Sequence, residues 1–241
     1  PPPPPPHRQT RPKCSLKPKK VFIDNEIFFN SRRVYNLGKN ENIVLNITGK
    51  NNIIKLNKVL GLGKLILRLV DIEDSKIAIG QNNNINRTLT LVGHNTPAKK
   101  SKGSICIGSN NIFNGHCVVA APASADKSVK IGNYNLFGSD INIIGTSDHL
   151  IFDINTKEKF NLEQNIEIGD KIWIGNGVRV LNKAKIPNNS VVAMNSIVTK
   201  RFDKTNVLLA GIPAMIKKEN IFWNIHNDDS YLYTDNPLEQ K

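Results

Sequence analysis

The chain has 241 residues and a formal net charge of +13, and only 6% of its residues are aromatic, whereas 33 Asn and 30 Ile fill 63 positions. Such a composition builds a narrow aliphatic core, and the absence of any apolar run of about 18 residues excludes a membrane-spanning helix. Three cysteines, Cys14, Cys106 and Cys117, form no CxxC pair, which argues against a disulfide scaffold or structural zinc and leaves free thiols as the expectation.

Residues 1–20 hold eight of the 13 prolines and six Lys/Arg with no acid, so this segment reads as a solvated tail, a linker or a cloning remnant outside the fold. A tether to a polyanion is the functional alternative for it. Without the tail the charge falls to 27 − 20 = +7, and no aromatic stacking platform accompanies the remaining basic residues. A nucleic-acid partner is therefore not expected. Residues 21–40 are irregular and are expected to cap a domain that runs over 21–219.

From about residue 40 the chain becomes repetitive. Ile168, Ile174, Val180, Ile186, Val192 and Val198 recur every six residues, and Ile172, Val178, Ala184, Ser190 and Ser196 fall two places before the last five of them. A period of six fits neither a helix nor an alternating strand. It fits short strands with two inward residues each, joined by tight corners, three strands making one coil of 18 residues. The same phase holds at Ile107, Phe113 and Val119 and at Ile131, Phe137 and Ile143, with Ile79, Ile85 and Leu91 as a shifted block. The breaks in phase predict inserted loops at 94–104, 120–128 and 150–167. Asn51 and Asn52, Asn82 to Asn84, and Asn110 and Asn111 suit corners, because Asn tolerates the left-handed backbone. The expected fold is an all-β parallel helix of hexapeptide repeats with inserted loops. The tail 220–241 leaves the period and is expected to pack outside it, on its own coil or a neighbour's.

GLGK at 61–64 lacks phosphate-loop spacing and reads as a turn. No two His or carboxylates recur at ligand spacing, so no metal is expected. Of the five histidines, His7 lies in the tail, His226 beyond the repeats, His94 in a lysine-bearing loop and His116 inside a hexad. His149 stands where a long loop leaves the coil, the rim of a rigid scaffold beside a cover, which suits a general base. Strict phase, 131 + 18 = 149, would instead turn it inward.

The stretch from Ile168 to Phe202, followed by Ala210, Gly211, Pro213, Ala214, Ile216 and Lys217, resembles the hexapeptide-repeat acyltransferases, whose fold is a left-handed parallel β-helix. Thr146-Ser-Asp-His149-Leu-Ile-Phe152, then a loop, then Ile168-Gly-Asp-Lys-Ile-Trp173, is similar to the bacterial capsule polysaccharide O-acetyltransferases of the kind that modifies the meningococcal sialic acid capsule. Leu150 stands where that family has Pro. The resemblance covers about 105–241 well and 40–104 in repeat style only.

The resemblance implies an enzyme that uses acetyl-CoA as cosubstrate, with His149 as the base for a sugar hydroxyl. It points to Trp173, by backbone or indole, at the oxyanion and the cofactor. Lys200, Arg201, Lys204 and Lys217 are implied for the CoA phosphates, and Gly175 and Ala193 for the pantetheine arm. It further implies a homotrimer acting on a polysaccharide acceptor; no hydrophobic signal-peptide core follows the start, which leaves the cytoplasm, at the inner membrane face with capsule assembly, as the expected location. The sugar itself is not carried over. An N-acetyltransferase of nucleotide-linked amino sugars and a non-catalytic β-helical binding rod remain the alternatives.

Overall fold

The computed structural model describes residues 25–34, 42–93, 102–146 and 149–225. Its strands form three sheets of eight, seven and seven, and the chain visits them in rotation, which makes a triangular parallel β-helix. Face I holds Glu26–Phe29, Ile53–Leu56, Lys76–Ile79, Ser104–Ile107, Ser128–Ile131, Ile166–Ile168 and Lys185–Ile186. Face II holds Asn84–Ile85, Ile112–Phe113, Leu136–Phe137, Trp173–Ile174, Val191–Val192 and Leu208–Ala210, and face III holds Ile43–Lys50, Lys64–Glu73, Thr88–Gly93, His116–Ala121, Ile141–Ile144, Arg179–Leu181 and Ile197–Val198. Neighbours on each face are parallel. Two antiparallel additions close the ends: Arg32–Arg33 on the first strand of face I, and Met215–Lys218 on the last of face II.

The hexad residues point inward as the period requires. Ile168, Ile174, Val180, Ile186, Val192 and Val198 are buried, as are Ile172, Val178, Ala184, Ser190 and Ser196. Ile168 pairs in register with Ile186, one coil of 18 residues on, but Ile131 pairs with Ile168, 37 residues on. The surplus is the long insertion. Residues 25–34, within the expected cap, supply a regular strand paired with Ile53–Leu56. GLGK is indeed a turn: Gly61 has φ +85, and it follows a single bridge from Leu60 to Asn84 on face II as the chain turns onto face III.

The asparagine corners divide into two roles. Asn51, Asn82 and Asn110 take the left-handed backbone, as do Tyr134, Lys171 and Asn189 at the corner between faces I and II. The residue after each of these asparagines is buried and continues the coil ladder with its side chain, a use the sequence reading did not foresee. Asn83 Oδ1 accepts from the backbone N–H and the side-chain amide of Asn111, both at 3.0 Å, and Asn111 Oδ1 accepts the Asn135 N–H at 2.9 Å. Asn135 Oδ1 in turn accepts the Ile172 N–H at 2.8 Å. Asn111→Ala orphans the Asn135 N–H and the Gly132 carbonyl of the next coil, and each buried orphan costs about 1–3 kcal/mol. A fall of about 3 kcal/mol in unfolding free energy by urea titration is expected.

Candidate active site

The corner between faces III and I is where the helix stops being regular. Here the chain leaves the coil after Gly93, after Ala121 and after Ile144, so the insertions rise from one edge of the prism. Most of the first, with His94, lies outside the described residues, as do His7, His226, Cys14 and Asp148. The second and third touch where the Ser124 N–H donates to Glu163 Oε2 at 2.7 Å. The third runs over 145–165, a few residues earlier at each end than the phase breaks indicate. It folds back as an arm: Phe152 bridges Lys159, the Phe160 N–H donates to Ile151 O, and Asp153 accepts the Asn155 and Thr156 N–H groups at its tip. Those two bonds hold the Asp153 carboxyl below the ordinary carboxylate range.

His149 lies at the foot of this arm and is exposed. The inward positions of face I that strict phase would have assigned near it belong to Ile166 and Ile168, because the insertion delays the next strand. The histidine is therefore exposed and not part of the core. Its backbone carbonyl accepts from Asn161 Nδ2 at 2.7 Å. Among the described residues no carboxylate is hydrogen-bonded to its ring.

Trp173 is the outward residue of its strand on face II and is 45% exposed. It stands in an outward apolar file with Ile112, Leu136, Val191 and Leu208, one from each successive coil. Trp223 of the tail covers it, with ring centroids 6.3 Å apart and the Trp223 indole N–H donating to Lys171 O at 2.9 Å. Within one chain His149 and Trp173 are not brought together. In a triangular prism the corner that carries His149 is opposite face II.

The remaining candidates lie on the last coils. The backbone amides of Gly175 and Ala193 donate to Val192 O and Leu209 O, at 2.9 and 2.8 Å, so both serve the solenoid ladder. Lys200 is exposed, 3.3 Å from Met215 Sδ and beside the strand that holds Lys217. Arg201 is tied to Glu167 on face I at 3.2 Å, and Lys204 pairs with Glu219. Lys200 thus lies against the closing strand that carries Lys217, whereas Arg201 is tied to face I. His116 is exposed and its Nδ1 contacts the Thr88 hydroxyl. Cys106 and Cys117 are free thiols, and burial pushes the Cys117 thiol well up. Among the described residues no group of three or more His, Cys, Asp or Glu is arranged to hold a metal, and no helix is long and apolar enough to cross a membrane.

Sequence reasoning missed three residues. Trp223 carried a trace, since the tail KENIFW belongs to the resemblance. Asn161 and Glu163 carried none, because they lie in an insertion with no period.

No protein-family model matches the chain, and neither does any curated protein. Solved structures do. The chain is similar to the polySia-specific acetyltransferase NeuO, with a TM-score of 0.58 and 24% identity over 86% of this chain and 74% of that one. It is also similar to the polysialic acid O-acetyltransferase OatWY, with a TM-score of 0.53 and 24% identity over 89% of this chain and 94% of that one. This similarity establishes a shared fold, the parallel β-helix expected from the hexads.

Proposed function

We propose that the protein is an acetyl-CoA-dependent O-acetyltransferase that acetylates a hydroxyl of a bacterial capsular or surface polysaccharide. The observation that carries this reading is an exposed His149 at the foot of the long arm, on a fold shared with two acetyltransferases of polysialic acid. The His149 imidazole takes the proton of the acceptor hydroxyl, whose oxygen attacks the thioester carbonyl and displaces the CoA thiolate, to which the proton then passes. The Trp173 indole N–H receives the charge that develops on the carbonyl oxygen, since its backbone N–H is given to Ser190 O at 3.0 Å. Lys200 and Lys217 suit CoA phosphates as point charges, and the use of acetyl-CoA fits a cytoplasmic enzyme at the inner membrane face.

His149 and Trp173 on opposite sides of the prism imply that one site takes them from two copies. The arm beside His149 exposes Leu150, Ile151, Phe152, Ile154, Phe160 and Leu162, and the apolar file on face II gives such an arm a surface in the next copy. Repeated head to tail, that contact closes into a trimer. Mixing His149→Ala and Trp173→Ala subunits, each inactive alone, is expected to restore roughly a quarter of wild-type activity, because one pairing in four joins an intact His to an intact Trp. No recovery would place both residues in a site of one chain, or in none.

The direct test is CoA thiol release from acetyl-CoA with a panel of capsule polysaccharides, polysialic acid included, and of nucleotide-linked amino sugars. Turnover with a polymer is the expected result. Turnover only with a nucleotide sugar would replace O-acetylation by N-acetylation, and failure to bind or cleave acetyl-CoA would leave a non-catalytic rod.

A further inference from the structure

The arm is anchored at its returning limb, over residues 161–165, and alternate groups of that limb serve two directions. On one side the Gln164 N–H donates to Asn182 Oδ1 at 2.7 Å, and Asn182 Nδ2 donates to Leu162 O at 2.8 Å. Asn182 belongs to the next coil, immediately after its face III strand, so the returning limb is fixed to the rigid solenoid. On the other side the side chains of Asn161 and Glu163 grip the outgoing limb. Asn161 Nδ2 donates to His149 O at 2.7 Å, and Asn161 Oδ1 accepts the Ile151 N–H at 2.9 Å. Glu163 Oε1 accepts the buried Thr146 hydroxyl at 2.9 Å, while its Oε2 accepts the Ser124 N–H at 2.7 Å and so gathers in the neighbouring insertion.

His149 is thus bracketed, with Thr146 held on one flank and Ile151 on the other. We propose that Asn161 and Glu163 are positioning residues that transmit the rigidity of the solenoid to the backbone of His149 and set where its imidazole stands. The inference rests on His149 being the base, and it deepens that reading. Without the bracket the histidine would ride on an exposed, largely apolar arm whose outgoing limb lacks these ties to the solenoid. Partial burial raises the pKa of Glu163, but the bonds from Ser124 and Thr146 outweigh it and hold the carboxyl below its ordinary value. The bracket is therefore complete at neutral pH and weakens as pH falls through that lowered pKa.

Hydrogen exchange by mass spectrometry on the full chain, with no substrate present, tests the bracket itself. In Glu163→Ala, peptides covering 120–128 and 145–153 are expected to exchange at least about tenfold faster, with those covering 166–198 unchanged. Glu163→Gln, which keeps an acceptor for the Ser124 N–H, is expected to restore most of the protection, and Asn182→Ala to lower it from a distance. Unchanged exchange in Glu163→Ala and Asn161→Ala overturns the proposal.

Kinetics with acetyl-CoA and the acceptor found in the panel then test positioning. Displacement of a base by about 1 Å costs on the order of 10²-fold, so kcat should fall between about 10- and 100-fold in Glu163→Ala while KM for acetyl-CoA stays within about twofold. In the His149→Ala background Glu163→Ala is expected to cost nothing further, since groups acting as a unit are not additive. A full additional loss there means that Glu163 acts elsewhere. If His149→Ala keeps wild-type turnover, the base assignment is what fails, and the exchange result still decides whether the bracket exists.

Discussion

His149→Ala is expected to lower acetyl transfer by roughly 10²–10⁴-fold, the contribution of a positioned general base, with CoA affinity unchanged. The sugar hydroxyl is a weak nucleophile at neutral pH because almost none of it is ionised. An imidazole that accepts the proton as the C–O bond forms removes that barrier, and no other described histidine is placed to substitute. His116 is exposed, but it is engaged with Thr88 on face III, away from the inserted arm. His149→Asn, which keeps a polar planar group but no base, should be nearly as impaired as Ala. Initial rates of thiol release give kcat, and CoA titration followed by Trp fluorescence gives affinity. A loss below about threefold would mean that the hydroxyl is activated elsewhere and that the exposed His149 is only a loop residue.

Phe137→Ala is expected to cost about 3–5 kcal/mol, the range for truncating a fully buried Phe. Phe113 and Phe137 are fully buried and stack on successive coils, with ring centroids 4.6 Å apart and planes 10° from parallel. They are the largest of the fully buried side chains. The prism gives the cavity no way to close, because its walls are parallel strands fixed in register on both sides, Leu136 and Phe137 to Ile112 and Phe113, and again to Trp173 and Ile174. Phe137→Leu fills much of the volume and should lose less than half as much. Urea titration followed by circular dichroism measures both. A loss under about 1 kcal/mol for the alanine variant would show that the coil relaxes around the site.

The stretch from Ile168 to Val198 was legible because burial in a coil depends on position within six residues and on nothing distant. Every one of those aliphatic positions is buried. The left-handed corners were legible for the same reason at Asn51, Asn82 and Asn110, yet Tyr134 and Lys171 occupy equivalent corners, because strong pairing on both sides overrides local preference. The inward use of Asn83, Asn111 and Asn135 was not legible. An amide that looks like a turn residue becomes a buried ladder partner only when another coil presents a backbone group beside it.

For the candidate site, sequence named His149 and Trp173 and put His149 at the root of an inserted loop, but it did not fix which way either faces. The period even pointed His149 inward, since an insertion is invisible to a count that runs straight through it. What the sequence determined by itself was the solenoid, its core residues and the approximate places of the insertions, all of which follow from local spacing. Only the tertiary structure decided that His149 faces out, that Trp173 lies on the opposite face under Trp223, that Arg201 is tied to Glu167, and that Asn161 and Glu163 hold the arm. Those facts depend on which groups meet across 10 to 52 residues of chain, and hydrogen bonds of that kind leave no period to read.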